Sequence, residues 1–120
     1  MLVLAARAAF VIGVLAVAVL SLAPSQSLPS LDLSDKVLHA VAYASLASAG
    51  CFGFGLTSPR AQLAIAVALS VFGVAIEILQ PLIAARSDSV ADAIANQIGI
   101  VLGWMLARSA AFVLQRPRSA

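Results

Sequence analysis

Four apolar runs, each close to the length of a bilayer-spanning helix, fill most of this chain and leave only short polar connections between them. A spanning helix needs about 20 apolar residues, so four of them use about 80 of the 120 residues. No separate extramembrane domain fits in the remainder. The chain is 62% apolar and 10% charged, against about 45–50% and about 25% in a soluble globular protein. That balance excludes an ordinary water-soluble fold and a disordered chain alike.

The first run extends from Leu2 to Ala23, is interrupted only by Arg7, and stops at Pro24 and the polar residues Ser25, Gln26 and Ser27. Its small-x-small end, Ser21, Leu22, Ala23, also suits signal-peptide cleavage. The length of the apolar part and a proline directly after the cut favour an uncleaved span. After a polar loop containing Pro29, Asp35 and Lys36 open a second run to Leu56, which closes with Gly50, Gly53 and Gly55. Thr57, Ser58, Pro59 and Arg60 then leave room only for a hairpin between antiparallel helices. A third run covers Ala61 to Gln80, where Pro81 is expected to end it by removing a backbone donor. The fourth starts near Ser89 and reaches Leu114, followed by a basic tail.

The alternation of barrel strands is missing from every run. The expected architecture is therefore all-α: a polytopic transmembrane helical bundle forming one domain, with antiparallel neighbours and spans at 2–23, 35–56, 61–80 and 89–114. Formal charge is +2, but the basic residues are dispersed, so they point to membrane topology and not to nucleic acid. Arg7, Arg60, Arg108, Arg116 and Arg118 fall on one side of such a bundle. The other side holds Lys36 and Arg86 with Asp32, Asp35, Asp88 and Asp92. The positive-inside rule makes the first side, with both termini, cytoplasmic. Cys51 is the single cysteine and sits in an apolar stretch, which excludes an internal disulfide and reads as a small buried residue.

Ionisable groups within spans are costly, by about 2.5–3.5 kcal/mol for a charge at the helix centre, so each needs a partner or a purpose. His39 follows Lys36 by three residues, Glu77 precedes Gln80 by three, and Asp92 and Asn96 fall in the first turns of the last helix. All lie within about 10 Å of helix ends that the topology places on one side. Helical spacing gives each helix one narrow polar stripe: Asp35, His39, Tyr43; Gly73, Glu77, Gln80; and Asp92, Asn96, Gly99, Gly103. In the last helix the stripe runs into a GxxxG pair, Gly99 and Gly103, with Ala107 one turn on, a surface that lets helix backbones approach closely.

In these residues the chain resembles the VanZ-like family. The family's Asp-Lys pair followed by His and Tyr is matched by Asp35, Lys36, His39 and Tyr43. Its Glu and Gln, loop Arg, Asp, Asn and paired Gly are matched by Glu77, Gln80, Arg86, Asp92, Asn96, Gly99 and Gly103. The match covers Asp35 to Gly103 in order and spacing, departing where the family often has Pro-Gly before the loop Arg and this chain has Ala84 and Ala85. The resemblance implies a small multi-pass protein of the bacterial plasma membrane, in a family linked to the cell envelope and to glycopeptide resistance.

The polar residues admit three readings. Asp35, His39, Glu77, Arg86, Asp92 and Asn96 could form a satisfied network that locks the bundle. With Lys36 and Arg86 at headgroup level they could instead recognise an anionic or polyol part of an envelope lipid, a cell-wall precursor or a glycopeptide, Arg supplying a bidentate fork. Or His39, oriented by Asp35 or Asp92, could act as a general base with Glu77 as a second acid/base group and Arg86 steadying an anion. The nearest hydroxyl to that set, Ser89, reads as a helix N-cap. His39, Glu77 and Asp92 are acceptable metal ligand types but carry no metal-site spacing, so no metal or other cofactor is assigned. Tyr43 and Trp104 read as packing or interfacial anchors. Expected partners are membrane lipids and the envelope ligand.

Overall fold

Serine caps set three of the helix starts. Ser34 Oγ accepts from the Val37 N–H, Ser58 Oγ from Ala61, and Ser89 Oγ from Asp92, each at 3.3 Å, satisfying donors that the first helical turn leaves open. The computed structural model describes residues 1–24, 34–84 and 89–114, and its regular elements there are helical throughout. They are α1 (Leu2–Leu22), α2 (Asp35–Gly50), α3 (Pro59–Ile83) and α4 (Val90–Leu114), with one turn of π-helix, Cys51–Gly55, extending α2. All four are long and apolar enough to cross a membrane, and many large apolar side chains, among them Leu15, Val41, Val71, Ile98 and Leu102, face outward. The chain is a multi-pass, all-α transmembrane bundle.

One boundary departs from the sequence expectation. Pro81 does not end the third helix at Gln80, because α3 continues to Ile83 and the Ala84 N–H bonds the Gln80 carbonyl at 2.9 Å. Pro81 gives up its hydrogen bond to the Glu77 carbonyl and crowds that carbonyl, but its restricted φ suits the helix, and the helix closes through the Ala84 N–H beyond it. The π-turn was not expected either. It loosens the backbone ladder where Gly53 and Gly55 lie, and two side chains from other helices take up the freed carbonyls. Arg7 Nε donates to the Gly53 carbonyl at 2.8 Å, and Gln62 Nε2 donates to the Gly55 carbonyl at 2.9 Å. The Arg7 guanidinium also sits 5.1 Å from the centre of the Phe54 ring. The one charge inside the first run is thus partnered within the bundle.

Successive helices are antiparallel, which makes α2 and α4 parallel, and these two form the tightest seam. A Cβ at Gly99 would fall on the Ala40 carbonyl oxygen, and one at Gly103 on that of Ala44. Ser48 Oγ closes the same seam on the Gly103 carbonyl at 3.0 Å. Tyr43, Leu46, Ala47, Leu69 and Ile100 make the buried core, with Phe10, Val14, Ile65 and Phe72 packed against it. Cys51 is buried, as expected of a small core residue. α1 packs on α2, the π-turn and α3 and buries no residue completely. The parallel α2–α4 pair, crossed by α3, brings the N-terminal ends of α2 and α4 and the C-terminal end of α3 together.

Candidate functional site

At that shared end the polar stripes of α2, α3 and α4 meet. His39 stands one turn into α2, about 6 Å from its start. Asn96 and Glu77 lie about 9 Å from the ends of α4 and α3, so the three share a depth. His39 Nδ1 lies 3.0 Å from Asn96 Oδ1 and 3.7 Å from Glu77 Oε1, while Nε2 on the far side of the ring lies 3.9 Å from Asp35 Oδ1. Lys36 Nζ reaches across to Asp92 Oδ1 at 3.7 Å. The imidazole is therefore central, with side-chain oxygens facing both of its nitrogens.

Burial divides the cluster into a wet rim and a dry floor. Lys36 and Asp35 side chains keep 59% and 49% of their surface exposed. Glu77, Asp92 and Asn96 retain only 6%, 7% and 1%, and Tyr43 beneath them 1%. Gly73 makes room for this floor: a Cβ there would lie 3.2 Å from both Asn96 Nδ2 and Tyr43 Oη. Along the floor, both Glu77 carboxylate oxygens, Asp92 Oδ1, Asn96 Nδ2 and Tyr43 Oη have no hydrogen-bond partner among the described residues. Leaving a buried polar group unsatisfied costs about 1–3 kcal/mol, and a network serving only as a lock is expected to be closed on itself. This one is not.

Asp35, Lys36, His39, Glu77, Asp92 and Asn96 are thus brought together, with Tyr43 below them. Gln80, grouped with Glu77 by spacing, is placed elsewhere: its Nε2 donates to the Ser21 carbonyl of α1 at 3.2 Å. Three residues along a helix turn the side chain about 60° around the axis, enough to carry Gln80 past the cluster. Arg86 lies outside the described residues, as do Asp32 and Asp88. Gly99 and Gly103 pack α4 on α2 and take no part in the polar floor. The Ser89 hydroxyl is committed to the α4 cap, so it is not presented as a nucleophile.

A second polar assembly, at the hairpin end, had no counterpart in the sequence reading. Gln62 is 4% exposed, and its Oε1 accepts from Trp104 Nε1 at 2.9 Å and from Arg108 Nη1 at 3.4 Å. Arg108 also stacks 5.4 Å over the Trp104 ring. Only the amide at the start of the third run, Gln62, could have announced it. Unlike the His39 cluster it is closed on itself, since Gln62 uses both ends of its amide. Beside it a recess of about 310 Å³ is lined by Leu56, Thr57, Pro59, Gln62, Arg108, Ala111 and Phe112.

The fold and cluster define a multi-pass membrane protein with an unsatisfied polar site at one end of the bundle. Compared with protein-family models, curated proteins and solved structures, the chain matches none.

Proposed function

We propose that this chain is a VanZ-like protein of the bacterial plasma membrane whose His39 cluster binds the head of an envelope lipid, cell-wall precursor or glycopeptide-related ligand. The observation that carries the reading is the set of buried polar atoms on Glu77, Asp92 and Asn96 that make no close hydrogen bond, beneath a solvent-exposed rim. Ionised carboxylates only accept hydrogen bonds and the Asn96 Nδ2 only donates, so the floor suits hydroxyls, which do both. Lys36 on the rim suits a phosphate or carboxylate, as does Arg86, which falls in the sequence between α3 and α4. The matching chemistry is an anionic polyol. The distribution of Arg and Lys supports an orientation with this end of the bundle on the extracytoplasmic face and both termini in the cytoplasm.

Lipid mass spectrometry on protein extracted in native membrane patches, with a Glu77→Ala variant for comparison, tests this reading. A phosphate-bearing species that accompanies the wild type and is lost from the variant is expected. Identical lipid complements in the two would refute binding through Glu77, and a chemically altered lipid made only by the wild type would assign catalysis to the cluster instead.

A further inference from the structure

The His39 imidazole carries a second implication, which concerns a cation. An amide oxygen 3.0 Å from Nδ1 selects the Nδ1–H tautomer. The lone pair then sits on Nε2, which faces the Asp35 carboxylate at 3.9 Å. A lone pair opposite a carboxylate is repulsive, and the repulsion is relieved either by a proton on Nε2 or by a cation held between the two groups. Asp92, from α4, completes the set: one donor atom from each of Asp35, His39 and Asp92 lies within 4.8 Å of the other two. Asp92 Oδ1 is buried and without a hydrogen-bond partner. Lys36, whose Nζ stands 3.7 Å from that oxygen, is mostly exposed and free to swing away.

We propose that Asp35 Oδ, His39 Nε2 and Asp92 Oδ form a binding site for a divalent transition-metal ion of the Zn²⁺ type, with Asn96 orienting the histidine from its other nitrogen. One imidazole and two carboxylates are a ligand set of borderline hardness that suits such ions. Three protein ligands leave a coordination position open to water or to an anionic ligand. Donors held at about 2.0–2.2 Å from one tetrahedral ion stand about 3.4 Å apart, so the site closes by movements of about an ångström, within reach of a side-chain rotation of the half-exposed Asp35. A metal-bound histidine almost always donates its remaining N–H to an acceptor that fixes the ring, and Asn96 Oδ1 occupies that position. Lys36 in this arrangement is a competitor for Asp92: ammonium and metal ion exclude one another.

His39 is the single histidine in the chain, so protein labelled with ¹⁵N-histidine gives an unambiguous readout. Titration of the full-length protein in detergent with ZnCl₂ is expected to move the Nε2 resonance to saturation at one equivalent while Nδ1 keeps its proton. Asp35→Asn, which keeps the side-chain shape at a half-exposed position, should weaken binding at least about tenfold, and Asn96→Ala by about 10–100-fold. Lys36→Ala should tighten it. An Nε2 resonance indifferent to Zn²⁺, or binding unchanged in Asp35→Asn and not strengthened in Lys36→Ala, would overturn the site.

Discussion

His39 Nδ1 and Asn96 Oδ1, separated by 57 positions in the chain, meet at 3.0 Å and tie α2 to α4 at the polar end of the bundle. With the amide oxygen of Asn96 facing Nδ1, the neutral imidazole is expected to carry its proton there, because only an N–H can satisfy an amide oxygen. It also leaves Asn96 Nδ2 buried and without a partner.

The tautomer is therefore a prediction. In metal-free protein the neutral His39 ring should be protonated at Nδ1, and Asn96→Ala should shift the population toward the Nε2–H form. Long-range ¹H–¹⁵N correlation on the single histidine reads both states. An Nε2–H ring in the wild type would mean that Asn96 and His39 are joined in the opposite sense.

Gly99 and Gly103 should behave as assembly residues. A side chain at Gly103 meets the Ala44 carbonyl, and backbone cannot step aside as a flexible side chain can, so the cost is at least that of overpacking a core, about 1–3 kcal/mol. Gly103→Leu should reduce the yield of folded, monodisperse protein on size-exclusion chromatography by several-fold. Gly13→Ala, where the added Cβ lies 2.7 Å from the far end of the Leu46 side chain, should be tolerated much better.

At the hairpin end, Gln62→Leu removes partners from the Gly55 carbonyl, from Trp104 and from Arg108 together. The loss should be about 1–3 kcal/mol for the buried group left open, visible as a lower thermal midpoint. Trp104 is the single tryptophan, so its emission should change in the same variant. An unaltered spectrum with unaltered stability would show that the contact contributes nothing.

The proposed orientation puts both termini on the arginine-rich side. A reporter active only in the periplasm, fused after Ala120, should stay silent, whereas one active only in the cytoplasm should work. Periplasmic activity would move the His39 cluster to the cytoplasmic face.

Much of this bundle can be read from residue spacing, because the bilayer imposes length and the helix imposes face. The four runs emerged within a few residues of the observed helices, and the Gly99–Gly103 stripe lies where α4 meets α2. Asp35, His39, Glu77, Asp92 and Asn96 share a depth that follows from counting residues to the helix ends. Pro81 misled because a proline restricts the turn before it, while the residues after it can still close the helix through the Ala84 N–H. Gln80 went elsewhere because α1 lies beside α3 and offered the Ser21 carbonyl. Arg7 and Gln62 were opaque for a different reason. Their partners are carbonyls exposed by the π-turn at Cys51–Gly55, and a one-residue widening of a helix leaves no periodic trace in the residues around it.

The most direct test of the cluster as a ligand site is a paired measurement on Glu77→Gln, which keeps the shape and one acceptor oxygen while removing the ionisable group. Thermal unfolding of the purified variant and its complement of bound envelope lipid are recorded together with those of the wild type. Because Gln keeps an acceptor oxygen where the Glu77 carboxylate faces His39, the variant should fold, insert and unfold within a few degrees of the wild type, yet lose the bound species. A large fall in the unfolding temperature with the lipid complement unchanged would contradict this and make the cluster a structural lock.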